Sequence, residues 1–72
     1  MNNLNVAKIQ LNGISYEINK GSNLNQLLNK LKIEKNKVAV EVNGEIIERK
    51  KYLNLTLKTN DKVEIVQFIG GG

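Results

Sequence analysis

Two Asn-Gly pairs, Asn12-Gly13 and Asn43-Gly44, constrain the fold of this chain more than any other feature. Each pair can supply the two positive φ angles of a type I′ turn, which two-residue β-hairpins favour. Apolar and polar residues alternate over residues 6–11 and 14–18 around the first pair, and over 38–42 before the second. Because a period of two indicates strands with one buried face, the sequence predicts two β-hairpins, the second formed by residues 38–42 and 45–48.

One helix is predicted between the two hairpins. Ser22 is the expected N-cap, because its hydroxyl can accept a hydrogen bond from a free amide of the first turn. Lys30 and Lys32 would lie in the last turn, where cations suit the negative end of the helix dipole. The pattern that predicts the helix is a stripe of four leucines at positions i, i+3, i+4 and i+7, namely Leu24, Leu27, Leu28 and Leu31. We expect this stripe to pack on one face of a sheet.

The last strand, residues 62–69, is almost continuously apolar, which indicates a central strand. Such a strand is either covered on both faces, or covered on one face with apolar residues exposed on the other. Asn60 is expected to turn the chain before it. The segment 49–57 has no regular pattern, and its apolar residues should fix a loop to the core; these are Tyr52, Leu53, Leu55 and Leu57.

The order hairpin, helix, hairpin and final strand predicts an α+β domain of the β-grasp type over residues 1–69. The last strand would run parallel to the first in the middle of a mixed sheet, with one helix packed across a face. A parallel pair needs a long crossover, which the helix-containing middle of the chain can provide. The 72 residues leave room for one domain.

The composition argues against catalysis by side chains. The chain has no cysteine and no histidine, which removes thiolate nucleophiles, imidazole bases and nearly all zinc and copper sites. Seven carboxylates are scattered along the sequence without the spacing of an acid–base pair. We therefore predict a protein that is not an enzyme and binds no cofactor.

The net charge of +4 raises the question of a nucleic-acid partner. The basic residues are spread along the chain, and their one run is Arg49-Lys50-Lys51. Two tyrosines and one phenylalanine cannot readily form a stacking platform for bases. A solvated face is favoured, and whether the basic run is a contact site stays open. The first residues carry neither signal-peptide nor membrane-span features, so we predict a cytoplasmic protein without a membrane or nucleic-acid partner.

The sequence ends on Gly70-Gly71-Gly72, directly after the apolar strand. Residues without a Cβ atom can enter a narrow channel and adopt backbone angles closed to other residues. We expect residues 70–72 to form a flexible tail whose final carboxylate reaches into the active site of a partner. Phe68 and Ile69 lie just before the tail and could dock on that partner, although Phe68 could equally belong to the core.

Two stretches resemble the ThiS family, the sulfur carrier proteins of thiazole formation in thiamine biosynthesis. They run from Val38 to Arg49 and from Asp61 to Gly72, and the likeness includes the leucine-rich helix. One departure is Asn60, where the family often has glycine. The resemblance implies that an adenylating enzyme, similar to ubiquitin-activating enzymes, uses ATP to adenylate the Gly72 carboxylate. Sulfur from a cysteine-derived donor would then form a thiocarboxylate, and thiazole synthase would accept that sulfur.

Three other functions stay open on the sequence. The small subunit of molybdopterin synthase shares the fold, the glycine end and the thiocarboxylate, but typically approaches its tail through prolines that this chain lacks. A ubiquitin-like modifier would be joined to lysines of other proteins. A small basic nucleic-acid-binding domain would bind with strong salt dependence.

Overall fold

A computed structural model describes residues 5–68, and every statement below about the structure concerns this range. Residues 35–37 and 49–51 form single 3₁₀ turns. The regular elements, in chain order, are β1 (Val6–Leu11), β2 (Ile14–Asn19), α1 (Leu24–Lys30), β3 (Val38–Val42), β4 (Glu45–Ile46) and β5 (Lys62–Gln67). No helix in residues 5–68 is long and apolar enough to cross a membrane.

The five strands form one mixed sheet in the order β2-β1-β5-β3-β4. β5 runs parallel to β1 and antiparallel to β3, which confirms the predicted central position of the last strand. The parallel pairing is short and comprises the register pairs Gln10↔Lys62 and Leu11↔Val63. β4 comprises only Glu45 and Ile46 and is shorter than the predicted strand 45–48. The Ile47 N–H still donates to the Val40 carbonyl at 2.9 Å, and this is the last bond of the hairpin before the chain turns away.

Both hairpin turns have the predicted geometry. The φ angles are 48° and 82° at Asn12-Gly13, and 53° and 85° at Asn43-Gly44. Positive φ at both central residues defines the type I′ turn, whose twist matches that of the flanking strands. Asn60 also has a left-handed backbone, with φ at 75°.

The core lies between α1 and one face of the sheet, as predicted. Leu24, Leu27 and Leu28 are almost fully buried, whereas Leu31 caps the helix and is half-buried. The strands and the following loop complete the core with Ala7, Ile9, Ile18, Val38, Val40, Val42, Tyr52, Leu57 and Val63.

The predicted N-cap Ser22 is wrong by one residue, because Asn23 caps α1. The Asn23 side chain accepts from the Gln26 N–H at 2.7 Å, and the Gln26 side chain accepts from the Asn23 N–H at 2.8 Å. This reciprocal pair is a capping box. The Ser22 hydroxyl instead donates to the Asn19 carbonyl at 2.6 Å. Lys32 also differs from expectation, since it lies beyond the helix end with φ at 59°.

The exposed fractions of apolar side chains test two predictions, one about the faces of β5 and one about the segment 49–57. β5 is covered on one face only, because Val63 on the inner face is fully buried while Val66 on the opposite face is 61% exposed. The segment 49–57 is fixed to the core by the buried Tyr52 and Leu57 and by the partly buried Leu55, as predicted, but Leu53 is 63% exposed and takes no part.

Candidate functional site

The described chain ends beside the central strand of the sheet, shortly before the predicted tail. The predictions for Ile69, Gly70, Gly71 and Gly72 concern residues outside the described range, and the structure describes only the residues that precede them. Phe68 directly follows β5, and its N–H donates to the Lys37 carbonyl at 3.0 Å. This bond extends the ladder with β3 to the last described residue, so the central strand keeps its direction as far as Phe68.

Phe68 is half exposed, at 51%, so the alternative that places it in the core is wrong. Residues directly opposite in a ladder share one face of the sheet. The register pairs Glu41↔Ile46 and Glu41↔Glu64 therefore put these three side chains on the face away from α1. Val66 and Phe68 follow Glu64 at steps of two and lie on the same face.

We call Ile46, Val66 and Phe68 the outer-face patch. All three are exposed, with Ile46 at 73%. Between them, β3 and β5 form a small hollow of about 70 Å³ that includes Ala39 and the carboxylates Glu41 and Glu64. An exposed apolar surface edged by two negative charges, next to the tail, suits a partner with apolar side chains and basic neighbours.

Two turn asparagines hold β5 from both sides, which sequence reasoning missed. The Asn12 side chain accepts from the Ile65 N–H at 2.7 Å and donates to the Ile65 carbonyl at 3.3 Å. The Asn43 side chain accepts from the Lys62 N–H at 2.9 Å and donates to Asp61 Oδ1 at 2.9 Å. The one indication in the sequence was that both turns contain asparagine. Because type I′ turns favour asparagine anyway, this residue type did not point to the side-chain bonds.

The basic run Arg49-Lys50-Lys51 forms an exposed 3₁₀ turn. Lys51 pairs with Glu48 at 3.7 Å, and such a solvated pair adds little to stability. Burial raises the pKa of the Tyr52 hydroxyl above its ordinary value, and the charge of Arg49 partly offsets this effect. Within residues 5–68, no three His, Cys, Asp or Glu side chains are grouped so that they could hold a metal ion. A contact role for the basic run stays a prediction.

Comparison with known proteins places the fold and the tail in one family. The ThiS family model matches residues 9–72. The sulfur carrier protein ThiS of Bacillus subtilis is 38% identical over 65 residues, which cover 89% of this chain and 98% of that protein. The thiazole synthase of Magnetococcus marinus is 42% identical over 65 residues, which cover 90% of this chain and 20% of that protein. This chain thus spans about a fifth of the length of the thiazole synthases that it matches.

A solved structure agrees with these relatives. The crystal structure of the thiamine biosynthesis protein ThiS from Geobacter metallireducens matches with a TM-score of 0.79 and 35% sequence identity. The match covers 90% of this chain and 99% of that chain, which confirms the β-grasp fold. Since the family model takes in nearly the whole sequence and a full-length relative agrees with it, this chain belongs to the ThiS family.

Proposed function

We propose that this protein is a sulfur carrier for thiazole formation in thiamine biosynthesis, and that Gly72 carries the sulfur. The observation that carries the proposal is that the family match continues to residue 72 and so includes the glycines after β5. The name of the Bacillus subtilis relative, sulfur carrier protein ThiS, supports the carrier role.

The chemistry takes place at the terminal carboxylate. A bare carboxylate is a poor electrophile, so it first attacks the α-phosphate of ATP on an adenylating enzyme and releases pyrophosphate. Hydrosulfide released from a cysteine-derived donor then attacks the acyl carbon of the adenylate; a C–S bond forms, the C–O bond to AMP breaks, and loss of a proton leaves the thiocarboxylate. Because this chain has no cysteine, its side chains offer no thiol to hold the sulfur. Catalytic groups come from the partners, which need the tail in their active sites.

The described structure supports delivery of such a tail. β5 is held by β1 and β3 on its two sides, so the residues before the tail have a fixed direction. The outer-face patch lies next to the exit point and is proposed to dock on the adenylating enzyme and on thiazole synthase. Similarity to a segment of longer proteins named thiazole synthase supports the second of these partners.

Mass spectrometry tests the proposal directly. Protein produced with its adenylating enzyme, ATP and a sulfur source should have one oxygen replaced by sulfur, and fragmentation should place the change on Gly72. Oxidation of Met1 gives nearly the same mass change, so the sample is also treated with a thiol-alkylating reagent. Without cysteine in the chain, alkylation at neutral pH reports the thiocarboxylate.

A reaction without ATP is the control and should give no alkylated protein. Sulfur at any residue other than Gly72 would contradict the proposal. A product joined to a lysine of another protein, without a thiocarboxylate, would instead identify a ubiquitin-like modifier.

A further inference from the structure

The edge of β5 that faces β1 is only partly paired. Bonds from the Phe68 N–H to the Lys37 carbonyl (3.0 Å) and from the Asn43 N–H to the Lys62 carbonyl (2.7 Å) fix the phase of the ladder with β3. Backbone groups alternate between the two edges of a strand, so those of residues 63, 65 and 67 point toward β1. This side of β5 is therefore the one on which an additional strand could bind.

β1 covers this edge only as far as its turn. The Asn12 N–H donates to the Val63 carbonyl at 2.9 Å, after which the chain reverses. The Asn12 side chain then bonds the N–H and the carbonyl of Ile65. It thus makes the hydrogen bonds that one more residue of β1 would have made. The backbone N–H and carbonyl of Gln67 point to the same edge, and no residue within 5–68 bonds them.

An apolar groove lies beside this open position. It has a volume of about 350 Å³ and is lined by Leu11, Asn12, Leu31, Ile33, Ile65 and Gln67. The four apolar residues are only partly buried although they pack against the core. A strand added next to Gln67 would direct alternate side chains into this groove.

The charges near the groove indicate the chemistry of its occupant. Ile33 separates the groove from a neighbouring hollow that Lys32 and Lys35 line. The one carboxylate of that hollow, Glu34, pairs with Lys37 at 3.5 Å. Neither Lys32 nor Lys35 has an ion-pair partner in the described part of the chain, so this rim has an excess of positive charge that an acidic segment would complement.

We propose that the adenylating enzyme adds an extended segment to the open edge of β5 at Gln67. Its backbone bonds the Gln67 N–H and carbonyl, an apolar side chain enters the groove, and an acidic residue lies near Lys32 and Lys35. The inference rests on the proposed function, because it names a contact made while the tail is held in that enzyme. Such strand addition gives affinity through main-chain bonds and specificity through alternate side-chain pockets.

Gln67→Pro is the decisive variant, because proline removes an N–H that the sheet does not use. Proline is tolerated in a strand whose N–H faces outward. The variant should bind the adenylating enzyme about tenfold more weakly, the effect of one lost hydrogen bond, with a wild-type thermal melt. Ser15→Pro is the matched control: in β2, the N–H of Ser15 also points away from its partner strand, and binding should not change.

Amide hydrogen exchange measures the same contact without a substitution. Exchange at Gln67 should slow in the complex with the adenylating enzyme, while exchange at Ser15 stays unchanged. Lys32→Glu with Lys35→Glu should weaken binding more than Lys58→Glu, since Lys58 lies by Asp61 at the opposite end of β5.

The outcomes separate this inference from the proposed function. If Gln67→Pro bound the adenylating enzyme with wild-type affinity, or exchange at Gln67 did not change in the complex, the proposed strand addition would be wrong. Normal adenylation of the wild-type protein in the same experiments would leave the proposed carrier function intact. If exchange at Gln67 in the protein alone slowed with increasing protein concentration, the occupant would be a second copy of this chain. That result would also overturn strand addition by the adenylating enzyme. If the enzyme neither binds nor adenylates the wild-type protein, both conclusions fail.

Discussion

At the scale of single residues, the two hairpin asparagines each have two roles. Their backbones adopt the positive φ angles of the turns, at 48° for Asn12 and 53° for Asn43. Their side chains bond the neighbouring central strand, Asn12 at Ile65 and Asn43 at Lys62. One residue type therefore fixes both the hairpin and the position of β5, from which the tail leaves.

Asn12→Asp should lower the free energy of unfolding by about 1–3 kcal/mol. The aspartate keeps an acceptor for the Ile65 N–H, but its second oxygen replaces the Nδ2 donor and meets the Ile65 carbonyl. Urea unfolding of both proteins measures the difference. Asn60→Asp is the control, because Asn60 has a left-handed backbone but no side-chain hydrogen bond with residues 5–68. Equal effects at both positions would show that the bonds to Ile65 contribute nothing.

Tyr52 gives a pH-dependent prediction. Burial raises the pKa of its hydroxyl in the folded protein, so the unfolded chain loses this proton first. Above the ordinary tyrosine pKa of about 10, the unfolded state binds fewer protons and stability should fall as pH rises. Urea unfolding between pH 8 and 11 should show a steeper loss for the wild type than for Tyr52→Phe. Identical slopes would contradict the assigned effect of burial.

At the scale of elements, the outer strands of the sheet are protected from pairing with other molecules. The Lys30 ammonium donates to the Glu17 carbonyl of β2 at 3.1 Å and lies 5.2 Å from the centre of the Tyr16 ring. The Ser22 hydroxyl and N–H both bond the Asn19 carbonyl at the end of β2. β4 has only two residues. Edges covered in this way offer few free backbone groups to another strand, in contrast to β5 at Gln67.

The start of α1 supplies the prediction at this scale. Asn23→Ala should destabilise the protein by about 0.5–2 kcal/mol, because the Gln26 N–H loses the side chain that caps it. Asn23→Asp is the matched control: it keeps the capping oxygen and loses only the bond to the Leu53 carbonyl at 3.2 Å. Thermal melts compare the variants with Ser22→Ala. A larger loss for Ser22→Ala than for Asn23→Ala would restore Ser22 as the important residue at this helix start.

The elements could be predicted from sequence because periodicity and turn chemistry are local. The leucine stripe predicted the core face of α1, and each Asn-Gly pair predicted its hairpin. The N-cap could not be chosen between two adjacent capping residues, since the choice depends on Gln26 reaching back to Asn23. Leu53 was misjudged for a related reason: in an irregular loop, no period indicates which apolar residue turns inward.

The site was less predictable than the fold because its contacts join distant parts of the sequence. The bond between Asn12 and Ile65 spans 53 positions. The outer-face patch combines Ile46 of β4 with Val66 and Phe68 at the end of β5, and the register of β3 alone brings them to one surface. The terminal glycines were recognisable as a motif, and the role proposed for them came from family resemblance rather than from local pattern.

At the scale of the whole molecule, the buried core lies apart from the residue at which the described structure ends. The buried residues lie between α1 and one face of the sheet, and within residues 5–68 the last of them is Val63. From Val63 the chain runs along β3 to Phe68, the last described residue. Stability and reactivity should therefore be separable by mutation: core substitutions lower the stability but not the reactivity of the folded protein, whereas substitutions in the tail change only the reaction with partners.

Variants of the tail test this separation. Adding one alanine after Gly72 moves the carboxylate by about 3.3–3.6 Å, the length of one extended residue. Misplacement of a reacting group by about 1 Å can cost on the order of 100-fold in rate. Gly71→Val tests width instead of length, since it adds a branched side chain to a tail that must enter a channel. An added glycine changes length alone and separates the two effects.

We expect all three tail variants to keep the wild-type melting temperature, because none alters a residue between 5 and 68. ATP–pyrophosphate exchange by the cognate adenylating enzyme should be abolished by the alanine extension and by Gly71→Val, and strongly reduced by the glycine extension. Leu28→Ala is the opposite control: loss of a buried leucine should lower stability by about 2–5 kcal/mol, while the folded fraction is still adenylated. Near-normal exchange by either extended protein would show that Gly72 is not the activated group, since a displaced carboxylate could not react at the same site.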